Sequence, residues 1–111
     1  MKQILCSKIH NAIVTDSNIN YIGSITIDKE LMKKSGIWEN EKVMVVSNST
    51  GVRIETYVIP EKEGAIEING AAANLIKKGE EVIIMAFEIT NKKIELKVIL
   101  VDKKNKFVKF L

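Results

Sequence analysis

The sequence predicts a mainly β fold, a closed or nearly closed barrel of about seven short strands with two short helices. Three observations predict it. Apolar residues recur at the two-residue period of strands, turn-forming residues separate the runs, and only two stretches carry helix start and stop signals.

In chain order, "ILCSKIHNAIVT" and "NYIGSITID" read as the first two strands. In the second, Ile19, Tyr21, Ile25 and Ile27 alternate with polar neighbours, and Gly23-Ser24 interrupts the run. A glycine inside a strand marks a bend, a bulge or a close backbone approach. "DKELMKKSG" is a helix with Asp28 as N-cap, Leu31 and Met32 as its apolar patch and Gly36 as its stop. "KVMVVSN" and "VRIETYVI" form a hairpin about the turn "NSTG", and Pro60 and Gly64 bracket a further turn. "AIEI" is a short strand leading into "NGAAANLIKKG", a second short helix closed by Gly79. "EVIIMAFEI", "KIELKVILVD" and "FVKFL" finish the chain as strands, with "TNKK" a tight connection. There is no repeat, linker or low-complexity segment, so residues 1–111 are expected to form a single domain.

Composition bounds the function classes. The 111 residues, 46% hydrophobic and 28% charged, make an ordinary soluble composition. No apolar run approaches the ~20 residues of a membrane span. The N-terminus lacks the uninterrupted apolar stretch of a signal peptide, so a cytoplasmic protein is expected, with no membrane partner. The single cysteine, Cys6, excludes an internal disulfide and a cysteine-rich zinc site. Residues 91–111 hold seven lysines against Glu95 and Asp102, a local charge of +5. The remaining 90 residues therefore sum to −2 of the total +3. The basic character belongs to the tail, where it suits a solvated strand end better than a nucleic-acid surface.

Several residues bear chemistry. A serine after glycine is usually structural, and no Gly-x-Ser-x-Gly elbow surrounds Ser24. Its hydroxyl could instead attack the carbonyl of the preceding residue, if the peptide is strained and the oxyanion held. Glycine is the residue that allows such a conformation at least steric cost. Cys6, Lys8 and His10 share one face of the first strand. Lys8 offers a point charge for an anion, and the lone His10 has no metal-ligand partners in sequence. Arg53, Glu55 and Tyr57 share a face of their strand, with Thr56 opposite. An arginine and a tyrosine together can hold a carboxylate and deliver a proton; the plainer alternative is an exterior arginine–glutamate pair. "NGAAA" leaves backbone uncovered at a helix start, where N–H groups are free for a carboxylate.

Together, "KIH" at 8–10, "YIGSITID" at 21–28, "GIWENEKV" at 36–43, "GVRIETY" at 51–57 and "INGAAA" at 68–73 resemble the pyruvoyl-dependent aspartate 1-decarboxylases. The resemblance covers the chain to about residue 88 and is carried by the combination and order of these motifs. It implies a double-psi β-barrel, and self-cleavage between Gly23 and Ser24 into a β chain of residues 1–23 and an α chain of residues 24–111. Ser24 becomes a covalent pyruvoyl group, which forms a Schiff base with L-aspartate and accepts the electrons released as CO₂ leaves, giving β-alanine for pantothenate and coenzyme A. It assigns Tyr57 as proton donor and gives Thr56 the oxyanion during cleavage. Lys8 and Arg53 are the candidates for the substrate carboxylates, and the Gly70, Ala71 and Ala72 backbone for substrate orientation. His10, Tyr21 and Asn69 support the site. Neither metal nor pyridoxal phosphate is expected. The expected assembly is a homotetramer of cleaved protomers with sites between neighbouring subunits, and a maturation factor is left open. The rival readings are a small basic barrel that binds nucleic acid and a non-processing regulatory relative.

Overall fold

A computed structural model describes every residue from Met1 to Leu111. It contains nine strands: β1 (Lys2–Ile13), β2 (Asp16–Asn18), β3 (Ser24–Asp28), β4 (Lys42–Ser47), β5 (Arg53–Glu61), β6 (Ile66–Asn69), β7 (Glu81–Thr90), β8 (Lys97–Val101) and β9 (Phe107–Phe110). One α-helix, α1 (Lys29–Ser35), follows β3, and a 3-10 turn (Gly70–Asn74) follows β6. The expected mainly β chain with short helices is present, with more strands than the apolar runs predict.

The strands form one mixed sheet in the order β2-β6-β3-β5-β4-β7-β1-β8-β9. Three pairs are parallel: β1 with β8, β2 with β6, and β3 with β5. The two-residue link between β1 and β2 is also hydrogen-bonded. Val14 donates to Glu80 O (2.9 Å), the residue just before β7, and Thr15 N to Ile66 O (2.7 Å) on β6. Thr15 Oγ1 bonds both the carbonyl and the N–H of Ile66, at 3.0 Å each. One continuous segment, residues 2–18, thus pairs at its start with β7 and at its end with β6.

The core is largely branched aliphatic, as buried strands favour. Ile9, Ile25, Ile27, Val43, Val45, Ile66, Ile68, Ile84 and Ile99 are all fully buried. Leu31 and Met32 seat α1 on this core, and Ser7 Oγ on β1 ties the helix end down through Ser35 O (2.7 Å). Asp28 caps α1 by accepting from Glu30 N (2.7 Å), and its other oxygen accepts from Gly64 N (2.7 Å). Gly36 ends the helix at φ +80°, a left-handed conformation in which glycine is least strained.

Four expectations are corrected. Residues 19–23 are not strand: Asn18 Oδ1 accepts from Asn20 N (3.0 Å), and this local asparagine turn overrides the alternating pattern. Pro60 lies inside β5, opposite Ile27, and not in a turn. The second helix is only the five-residue 3-10 turn, which ends five residues before Gly79. Residues 94–96 of "KIELKVILVD" precede β8 instead of joining it. In the lysine-rich tail, Phe107 and Phe110 pack edge to face at 5.1 Å, and Lys34 sits over the Phe107 ring. Lys106 pairs with Glu63.

Candidate active site

Ser24 opens β3 between an antiparallel neighbour, β6, and a parallel one, β5. Ile25 and Ile27 point to the core, so Ser24, Thr26 and Asp28 share the other face, yet that face is also buried. Buried polar side chains require partners. Asp28 finds them at the start of α1; the two hydroxyls find theirs in Asn69, directly opposite Ser24 on β6. The Asn69 amide donates to Ser24 Oγ at 3.0 Å and to Thr26 Oγ1 at 2.9 Å. Ser24 Oγ in turn donates to Ile22 O at 3.0 Å, across the Gly23 residue. Occupied in this way, the Asn69 side chain makes no capping bond to the 3-10 turn that follows it.

Gly70, the first residue of that turn, lies hard against Gly23. A Cβ on Gly70 would stand 2.6 Å from Gly23 Cα, 2.9 Å from its nitrogen and 3.3 Å from Tyr21 O. Gly70 also has φ +75°. Gly23 itself does not have a left-handed φ, and a Cβ there would meet nothing within 4 Å. The steric demand that the sequence places at Gly23 therefore falls on Gly70. Ala71 in the same turn is exposed, and Ala72 is half-buried against the core.

The other wall is β5. Its pairing with β4 has no register shift, so Thr56, opposite the buried Val43, stays on the face away from Tyr57. Both nevertheless line one open cleft of about 340 Å³, together with Lys42 and Glu55. Ser24 and Tyr57 directly precede the first registered pair of β3 and β5, Ile25 with Val58. Glu55 pairs with Lys42 at 2.5 Å and not with Arg53, whose guanidinium reaches only the Met44 sulfur at 4.0 Å. The expected exterior arginine–glutamate pair is absent, and the Arg53 charge is free.

Lys8 and His10 lie elsewhere. Lys8 is in one cross-strand row with Met85, Met44 and Glu55, three strand spacings and so about 14 Å from β5 along the sheet. His10 pairs with Leu100 on β8, beside a bulge in which Asn11 has φ +67°. Cys6 is the extra residue of an earlier bulge; its thiol pKa is raised, mainly by burial and then by Glu41 and Glu88. Within one chain, then, Gly23, Ser24, Tyr21, Asn69 and Gly70 gather with Thr56 and Tyr57, and Lys8 and His10 stand apart. Sequence reasoning missed Thr26. Its signal was the polar face of "SITID", set aside as the solvent side of a half-buried strand.

No group of three or more His, Cys, Asp or Glu side chains gathers anywhere in the fold. No helix is long and apolar enough to cross a membrane.

Comparison with known proteins converges on one family. The family model described as aspartate decarboxylase matches residues 1–108. The chain is 50% identical to the aspartate 1-decarboxylase of Caldicellulosiruptor bescii, an alignment covering 96% of this chain and 88% of that protein. It is also 50% identical to the enzyme of that name from Desulfitobacterium hafniense, over 97% of this chain and 90% of the relative. The Bacillus velezensis protein of the same name is 42% identical over 99% and 91%. With the match spanning nearly every element from β1 to β9, the chain belongs to the aspartate decarboxylase family.

Proposed function

We propose that the protein is a pyruvoyl-dependent aspartate 1-decarboxylase that converts L-aspartate to β-alanine and CO₂, supplying pantothenate and coenzyme A synthesis. The observation that carries this reading is the Gly23–Ser24 bond at the edge of the fold, where the buried Ser24 hydroxyl is held between Asn69 and Ile22 O and Gly70 is pressed against Gly23.

The chemistry of maturation consumes one water and no other co-reactant. Ser24 Oγ bonds to the Gly23 carbonyl carbon, the Gly23–Ser24 C–N bond breaks, and the hydroxyl proton passes to the freed nitrogen. Elimination then removes the Ser24 Cα proton and breaks its Cβ–Oγ bond, leaving Gly23 as a carboxylate and residue 24 as a dehydroalanine. One water enters and ammonia leaves, so residue 24 ends as a pyruvoyl ketone. The whole chain acts as one decarboxylase domain that divides into residues 1–23 and 24–111. The residues around the bond suit this change: the hydroxyl is oriented, and Gly70 gives the backbone a side-chain-free neighbour.

Once formed, the pyruvoyl group supplies an electrophilic carbonyl for the substrate amine and a sink for the electrons released on decarboxylation. The other roles fall to the chain. Thr56 faces the oxyanion of the cleavage step, and Tyr57, beside residue 24, delivers the proton that replaces CO₂. The unpaired Arg53 holds a substrate carboxylate, and the Gly70–Ala72 backbone borders the substrate. Lys8 and His10 are assigned to a neighbouring copy, because Lys8 lies three strand spacings from β5 along the sheet. This favours a homotetramer with shared sites. The exposed Ile19, Tyr21 and Ile22 beside the cut and Trp38, 77% exposed, are surfaces such contacts would cover. The double-psi barrel is the architecture we assign, supported by residues 2–18 reaching both β7 and β6 and by the three parallel pairs. A cytoplasmic location accords with the free thiol of Cys6.

Intact-mass measurement tests the reading directly. Purified protein is expected as two fragments, 1–23 and 24–111, the larger with a blocked N-terminus. Ser24→Ala stays whole and inactive; β-alanine formation by it would sink the mechanism. Tyr57→Phe is cut normally but loses decarboxylation, and full activity would remove Tyr57 from proton delivery.

A further inference from the structure

Thr26 has no role in the reading above, yet it is tied to the nucleophile through one intermediary. The Asn69 amide nitrogen carries two hydrogens. One lies on Ser24 Oγ at 3.0 Å and the other on Thr26 Oγ1 at 2.9 Å. All three side chains are buried, with residual exposures of 3% for Asn69, 2% for Ser24 and 3% for Thr26. No buried side-chain nitrogen or oxygen in the fold lacks a partner. Thr26 is β-branched and sits mid-strand, so its hydroxyl is a stiff anchor. With both hydrogens engaged, the amide is held by two contacts and presents N–H to Ser24 Oγ. That leaves the Ser24 proton to go to Ile22 O and fixes the rotamer of the attacking oxygen. Without Thr26 the amide has one anchor and can turn over. It would then offer its carbonyl to Ser24, take the hydroxyl proton and swing the oxygen.

We propose that Thr26 is a positioning residue for self-cleavage: by locking the Asn69 amide, it orients the Ser24 hydroxyl for attack on the Gly23 carbonyl. This rests on the self-cleavage reading and deepens it. The step it serves is the first one: Oγ–C forms, C–N breaks, and the proton moves from Oγ to nitrogen. Thr26 itself touches no reacting atom.

The test follows the uncut fraction of freshly purified full-length chain over time by intact mass, for wild type, Thr26→Val and Thr26→Ser, with thermal melting of each. Loss of one buried hydroxyl anchor is expected to slow cleavage about tenfold in Thr26→Val. Thr26→Ser, which restores the hydroxyl, should cut within about threefold of wild type. If Thr26→Val melts below the incubation temperature, Thr26→Ala takes its place. A folded Thr26→Val or Thr26→Ala that cuts at the wild-type rate overturns the proposal. So does a Thr26→Ser that is as slow as the valine variant, since the methyl's packing would then be responsible. A wild-type chain that never cuts overturns the self-cleavage reading and Thr26 with it, whereas wild-type cleavage beside an unaffected Thr26→Val removes Thr26 alone.

Discussion

A Cβ on Gly70 would fall 2.6 Å from Gly23 Cα, inside any contact that carbon atoms tolerate, and the neighbour is backbone that cannot turn aside. Alanine there also adopts φ near +75° at a cost of about 1 kcal/mol or more. Gly70→Ala is therefore expected to displace residues 21–23, to lower the melting temperature and to slow or abolish cleavage. Gly23→Ala should fold as well as the parent, because the space beside Gly23 is open. Melting curves and intact masses of the two variants check both statements. The pattern of "YIGSITID" singles out Gly23 and Ser24 but assigns the glycine constraint to the wrong residue. The reason is physical: φ and local polarity are written in neighbouring residues, whereas close approach between residues 23 and 70 is created by strand pairing across more than forty positions. Asn69 was legible only through the family resemblance, and Thr26 was not legible at all, because a polar residue on a strand does not announce whether its face meets water or protein.

Local elements were the easiest to foresee. Asp28, Gly36 and the apolar pair Leu31–Met32 define α1 within nine residues, and the helix forms between those bounds. The segment at 19–23 was misread because alternating side chains mimic a strand while Asn18 and Asn20 dictate a turn. The parallel pairing of β2 with β6 could not be seen either, and it has an electrostatic cost: Asp16 stands opposite Glu67. The Glu67 pKa is raised above 4.5, first by burial and then by Asp16 and Glu61, with Lys62 opposing. A carboxyl whose folded pKa is raised binds its proton more tightly when folded. Stability is then greatest below the unfolded value and declines as pH rises through the folded one. Glu67→Gln removes that decline. It is expected to raise the melting temperature near neutral pH and to change it little at about pH 4. A larger gain at acid than at neutral pH would contradict the assignment.

At the scale of the whole molecule, the candidate site is divided. Tyr57 and Ser24 lie on adjoining strands, while Lys8 is three strand spacings from β5. If each working site draws Lys8 from one copy and Tyr57 from another, Lys8→Ala and Tyr57→Phe should each be nearly inactive alone. Co-produced in one cell, they should recover a measurable share of wild-type activity, because some mixed assemblies contain an intact site. No recovery in assemblies shown by mass to be mixed would place both residues in the same copy. Spacing along a chain carries no information about which of two copies a residue serves, so shared sites entered the sequence reading only through the family resemblance. The sheet's composition was legible from period-2 runs, but its order was not, because parallel pairs join segments distant in sequence.

The segment spanning residues 2–18 has a consequence for the cut protein. It is threaded between β7 and β8 at its start, with β2 laid on β6 at its end. All of those neighbours lie on the far side of the Gly23–Ser24 bond. The proposed cleavage would therefore turn a folding unit into a two-chain complex whose shorter member supplies one of the longest strands and has little core of its own. Before the cut, the two portions find each other as parts of one tether; afterwards they are separate solutes, and unfolding forfeits that effective concentration. Maturation by that route would act as a ratchet: the chain must fold first, and once processed it would have exchanged easy refolding for a fold held by its barrier to opening.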